Sequence, residues 1–124
     1  MDNKNCLGIW MDHSVANLMV YNNLSSEHKI ESEFTHHTKM EALHQSESGM
    51  HQKEQQLLEA YYKEIGEEII KYDKVLLFGP TDAKNELHNF LLKDRHFNEI
   101  EFDILNADKM TKNEKIAFVE NHFI

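Results

Sequence analysis

The chain has 124 residues, of which 13 are basic and 22 acidic, for a formal net charge of −9. That imbalance excludes binding a polyanion over the whole surface, which needs clustered Lys and Arg to displace counterions. Any contact with nucleic acid must therefore be local. The length suits one domain, able to bury roughly two thirds of its unfolded surface.

The single cysteine, Cys6, excludes an intramolecular disulfide framework and a Cys-based zinc cluster. Cys6 reads as a small buried hydrophobe beside the first strand rather than a reactive thiol. One proline and four glycines leave few sharp breaks and no flexible linker. No basic N-terminus precedes an apolar stretch, and the longest apolar run falls far short of the ~20 residues a membrane span needs. A soluble, cytoplasmic protein with no membrane partner is expected.

Residues 7–11 read as a first strand, ending at Asp12-His13-Ser14. Val15 to Tyr21 reads as a second, with Ala16, Leu18 and Val20 on one face and Asn17, Met19 and Tyr21 on the other. The short polar link between them suits a tight antiparallel turn. Asn22-Asn23 and Ser25-Ser26 mark the next turn. Lys29 to Thr35 alternates again, Ile30, Ser32 and Phe34 against Glu31, Glu33 and Thr35, as a charged sheet edge would. From His36 to Gln52 the periodicity stops, and a long loop is expected there. Loops of that length are often functional. Leu58, Tyr61 or Tyr62, Ile65, Ile69 and Tyr72 recur at helical spacing, predicting a helix over about 52–72. Gly66 costs that helix ~1 kcal/mol relative to alanine and allows close packing on the sheet.

Val75, Leu76, Leu77 and Phe78 form an unbroken apolar run closed by Gly79-Pro80, as a strand buried on both faces would. Thr81 or Asp82 then caps a helix over about 82–93, with Leu87, Phe90 and Leu91 inward. Residues 100–105 read as a fifth strand, with Ile100, Phe102 and Ile104 on one face. A last helix over about 111–122 opens with Thr111-Lys112-Asn113-Glu114, the spacing of a capping box. The order is βββαβαβα. Its natural assembly is an α/β fold: a five-stranded mixed sheet of order 3-2-1-4-5 with helices on both faces, a ribonuclease-H-like arrangement. Ligands of open α/β sheets sit where strands end and helices begin. Here that rim would gather Asp12-His13, the 36–52 loop and the Gly79–Lys84 turn.

Leu7-Gly8-Ile9-Trp10-Met11-Asp12 resembles the opening strand of the middle domain of the archaeal and eukaryotic peptide-chain release factors. Val75-Leu76-Leu77-Phe78-Gly79-Pro80, with Lys84 at the helix start, resembles the matching strand and turn of their relative Pelota. The resemblance spans roughly residues 6–122. It is nearest to the stand-alone bacterial relatives of these factors, often labelled translational-machinery or host-attachment proteins. In release factors the long loop carries Gly-Gly-Gln, which enters the peptidyl-transferase centre and assists ester hydrolysis. The corresponding stretch here is Ser48-Gly49-Met50-His51-Gln52-Lys53, with one glycine and a glutamine three residues on. Two adjacent glycines allow a backbone shape that Met50 would resist. The resemblance therefore implies a ribosome-associated rescue or hibernation factor without peptidyl-tRNA hydrolysis. It would dock its loop on rRNA through His36, His37, Lys39, Gly49, Met50, His51, Gln52 and Lys53.

Other chemistry has less support. The loop histidines follow no recognised metal-ligand spacing and read as solvated loop residues. Lys84 is a candidate anion contact, though no glycine-rich loop accompanies it. Asp12, at the end of strand one, and Asp82, just after strand four, lie at positions where ribonuclease-H-like nucleases hold two metal ions, with Glu54 or Glu59 as a third carboxylate. Each also has an ordinary reading, as a strand terminator and as a helix-start residue favoured by the dipole. Tyr61-Tyr62 reads as half core and half rim, and Trp10 as a core strand residue. No nucleophile elbow, Walker motif or Cys-His arrangement is present, so an enzyme is not the favoured reading and no cofactor is implied. A non-catalytic module whose acidic surface meets a basic protein is the remaining alternative, and a homo-oligomer is left open.

Overall fold

The computed structural model describes residues 5–33 and 47–124. Five strands, β1 (Cys6–Met11), β2 (Val15–Val20), β3 (Asn23–Glu31), β4 (Lys74–Gly79) and β5 (Glu101–Asn106), form one sheet. Its order is β3-β2-β1-β4-β5, as the apolar patterning predicts. β1–β2 and β2–β3 pair antiparallel; β1–β4 and β4–β5 pair parallel.

Among the described residues three helices cover the sheet: α1 (Glu47–Ile69), α2 (Ala83–Leu91) and α3 (Lys112–Phe123). Successive strand residues point to opposite faces, and the core divides accordingly. Leu7, Ile9, Ala16, Leu18, Val75 and Leu77 meet Tyr61, Ile65, Ile69, Leu87 and Leu91 of α1 and α2. Trp10, Met19, Leu76 and Phe78 meet Val119 of α3 on the other side. β4 is buried on both faces, and Val75, Leu76, Leu77 and Phe78 are all fully enclosed.

Two glycines mark close approaches, one between helix and sheet and one between neighbouring strands. A methyl group at Gly8 would overlap the Val119 side chain, so Gly8 is where α3 crosses β1. Gly79 has φ +155°, and a side chain there would run into the Met11 carbonyl. Gly66 sits against Leu91 and Phe97 rather than against the sheet. Phe97 belongs to a short 3-10 turn (Arg95–Phe97) capped by Asp94, which accepts from the His96 amide at 2.9 Å.

α3 begins with the expected capping box: Thr111 Oγ1 accepts from the Glu114 amide at 3.2 Å, and Glu114 Oε1 accepts from the Thr111 amide at 2.9 Å. Its far end is pinned to β5 by His122 Nε2 against Asp103 Oδ2 at 2.8 Å. Trp10 Nε1 donates to the Asp108 carbonyl at 3.4 Å, and the Lys115 ammonium lies 4.0 Å from the Trp10 ring centroid.

Two boundaries and one burial differ from the sequence expectation. The turn after β2 is Tyr21-Asn22, with Val20 paired to Asn23, so β3 starts at Asn23 rather than Lys29. Ser25 and Ser26 lie in an edge strand, where polar residues are tolerated as readily as in a turn. Ile30 within it and Ser32 just past its end are buried as the alternation predicts, while Phe34 and Thr35 lie outside the described residues. The first helix starts at Glu47, so the last six residues of the expected 36–52 loop are helical. Extending a nucleated helix adds a hydrogen bond per residue, which outweighs the ~1 kcal/mol cost of Gly49. Cys6 is half-buried rather than buried.

Candidate functional site

The rim where β1 and β4 end carries a cluster of linked polar side chains. It is built from the β1–β2 turn upward. The Asp12 amide donates to the Val15 carbonyl at 3.0 Å. Asp12 Oδ1 accepts from the Ser14 amide at 2.7 Å and the Val15 amide at 2.9 Å. The carboxylate thus closes an Asx turn. The Asp12 carbonyl accepts from the Tyr61 hydroxyl at 2.9 Å, tying this turn to α1.

His13, at the tip of the turn, faces α2. Its Nε2 lies 3.1 Å from Glu86 Oε1, and the same oxygen accepts from the Tyr62 hydroxyl at 2.7 Å. His13 is about one third exposed and Glu86 somewhat more. Both tyrosine rings are buried against each other, centroids 5.6 Å apart, with their hydroxyls at the rim. Burial first, then the nearby Asp12 charge, pushes the Tyr61 phenol above its ordinary range. Burial first, then the hydrogen bond to Glu86, does the same for Tyr62. Both phenols are therefore neutral donors at any ordinary pH. A carboxylate that holds one imidazole nitrogen leaves the other to accept a proton or a hydrogen bond from solvent.

At the start of α2, Thr81 Oγ1 accepts from the Ala83 amide at 3.2 Å, while Asp82 makes no side-chain cap and accepts from Asn85 Nδ2 at 2.8 Å. Lys84 is 2% exposed, and its ammonium donates to the Thr81 carbonyl. The candidate anion contact is thus turned inward beneath the helix start. Of the two carboxylates proposed for metal, Asp12 is engaged by backbone amides and Asp82 by Asn85. Among the described residues no group of three His, Cys, Asp or Glu is placed to hold a metal ion.

His36, His37 and Lys39 lie outside the described residues. Gly49, Met50, His51 and Gln52 fall on the opening turns of α1, with Lys53 exposed on the next. The His13–Glu86–Tyr62 cluster is not among the sequence candidates. His13 and Glu86 are 73 positions apart, and no spacing rule links a turn histidine to a glutamate in a helix's first turn.

These elements define an α/β protein with a mixed five-stranded sheet and a polar rim at the ends of β1 and β4. No family model matches the chain, and no curated protein matches it. Among solved structures it is similar to Pelota from Archaeoglobus fulgidus, a crystal structure described as revealing inter-domain structural plasticity. The superposition has a TM-score of 0.59 at 12% sequence identity and covers 98% of this chain. The chain spans about a third of that Pelota, 32% of its length. At this identity the likeness is one of fold. No described helix is long and apolar enough to cross a membrane.

Proposed function

We propose that this chain is a translation-related, ribosome-associated factor that presents residues 36–53 to rRNA, acting in rescue or hibernation rather than in peptide release. One observation carries the reading: nearly the whole chain shares its fold with a third of Pelota. The resemblance of the β1 stretch and of the Gly79-Pro80…Lys84 stretch to that family agrees with it. The described rim contributes Asp12, Asp82 and Glu86, so contact with rRNA falls to Lys39, Lys53 and the histidines of residues 36–51. The 48–53 stretch lacks the Gly-Gly-Gln of release factors, so the reading does not include peptidyl-tRNA hydrolysis. The nuclease alternative is disfavoured because both of its carboxylates are structurally engaged.

Cosedimentation with ribosomes tests the proposal. The wild-type chain is expected in the ribosomal fraction, and alanine replacement of Gly49–Lys53 together with His36, His37 and Lys39 should release it. A wild-type chain that stays in the supernatant at low salt would falsify the reading. If the chain sediments equally with and without the replacements, the segment is not the contact.

A further inference from the structure

A second surface points to a protein partner, independently of the ribosomal reading. α1 and α2 lie side by side on one face of the sheet, and a groove runs between them in two lobes. The upper lobe, of about 430 Å³, lies beside the rim and is flanked by Glu54, Glu59 and Glu86. The lower lobe, of about 460 Å³, has a floor of Ile70, Phe90, Leu91 and Phe97. Phe90 and Lys93 border both lobes, so the two lie end to end along α1.

From Glu54 to Ile70 the groove follows α1 for about 24 Å at the rise of an α-helix. That is the length of a helix of about four turns. Ile70 is 43% exposed at its lower end, a large apolar side chain facing water. The charge is unevenly divided. Three carboxylates against Lys93 leave the upper lobe at a formal −2. With Lys93 counted there, the lower lobe keeps Lys63 against Glu67 and Asp94, a formal −1.

We propose that this groove receives an amphipathic helix from a partner protein, apolar along one stripe and bearing Lys or Arg at the end that lies over Glu54, Glu59 and Glu86. Helix-in-groove docking reads anchors at i, i+3, i+4 and i+7, and the floor of Leu58, Phe90 and Ile70 offers such anchors their apolar contacts. The upper carboxylates select a basic end and reject an acidic one. The net charge of −9 speeds encounter with a basic segment at low ionic strength.

The test uses the full chain and synthetic four-turn peptides with an identical leucine stripe. One peptide carries lysines clustered at one end, a second the same lysines spread along its length, and a third glutamates in place of the lysines. Binding is followed by fluorescence anisotropy at physiological ionic strength. The clustered-lysine peptide is expected to bind at least about tenfold more tightly than either control. Ile70→Asp should weaken it about tenfold, and Glu59→Lys should remove the advantage of clustering. Both sites are exposed, and unchanged far-UV dichroism would show that the variants fold. Equal binding of all three peptides, or binding indifferent to Ile70→Asp, overturns the proposal. So does a dimer in solution that Ile70→Asp converts to monomer, since a second copy would then fill the groove.

Discussion

The Tyr62 hydroxyl donates to Glu86 Oε1 at 2.7 Å, and through that bond α1 is fastened to the first turn of α2. The same oxygen faces His13 at 3.1 Å, so one carboxylate joins two elements and a turn. Tyr62→Phe should lower stability by about 0.5–1.5 kcal/mol, the usual range for one hydrogen bond. In a double-mutant cycle with Glu86→Ala, the second change should cost much less than it does alone, because the partners share the interaction. Urea unfolding midpoints measure both. Strictly additive effects would show that the bond contributes nothing.

Alkaline pH should find the two phenols. Tyr61 and Tyr62 titrate above their ordinary value in the folded chain, chiefly because burial disfavours the charged phenolate. The unfolded chain therefore loses their protons first, near pH 10. Stability from this source is constant below about pH 10 and falls above it, by about 1.4 kcal/mol per pH unit for each tyrosine. Replacing both by Phe should flatten the alkaline limb of a stability–pH curve. An unchanged limb in the double variant would rule these two groups out as its cause.

Close approaches make two glycines sensitive. Gly79→Ala places a methyl group against the Met11 carbonyl at φ +155° and should cost at least 1–3 kcal/mol. Gly8→Ala should cost about 1–3 kcal/mol through overlap with Val119. Val119→Ala opens space at that point, so the Gly8→Ala/Val119→Ala pair should lose less than the sum of its parts. Thermal denaturation of the three chains decides it. A sum or more would mean that Val119 is not what Gly8 makes room for.

Asp12 separates a structural role from a metal-binding one. Asn keeps the Oδ1 acceptor used by the Ser14 and Val15 amides, so Asp12→Asn should stay within about 0.5 kcal/mol of the parent. Asp12→Ala loses both bonds and should cost about 1–2 kcal/mol. Calorimetry on the two variants, beside cleavage assays with magnesium, gives the comparison. A magnesium-dependent cleavage lost in the Asn variant would restore the nuclease reading.

Much of this architecture can be read from patterning. The unbroken run Val75–Phe78 marks a strand with two apolar neighbours, and alternation in β2 assigns Ala16 and Leu18 to one face and Met19 to the other. Thr111 and Glu114 announce the start of α3 because a capping box is local in sequence. Where β3 starts and where α1 starts are less legible. Ser25, Ser26 and Gly49 break local patterns, but pairing with β2 and helix extension override them. The rim cluster is hidden for a different reason. His13, Tyr62 and Glu86 come from three elements, and only the folded sheet brings them within hydrogen-bond reach. Lys84 is misleading in sequence, since a lysine at a helix start suggests a solvent-facing charge and this one is enclosed.

On the second side of the sheet α3 and the 107–110 segment before it cover the core, with Phe118 stacked on Phe78 at 4.5 Å and Val119 seated over Gly8. Were they to swing away, Trp10, Met19, Leu76 and Phe78 would be bared together as one greasy plate, with every strand still in place. Heat or mild denaturant should thus make the chain clump before the sheet itself comes apart, and the clumping should begin from this plate. A covalent staple from α3 to β1 would be the direct way to keep the hatch shut.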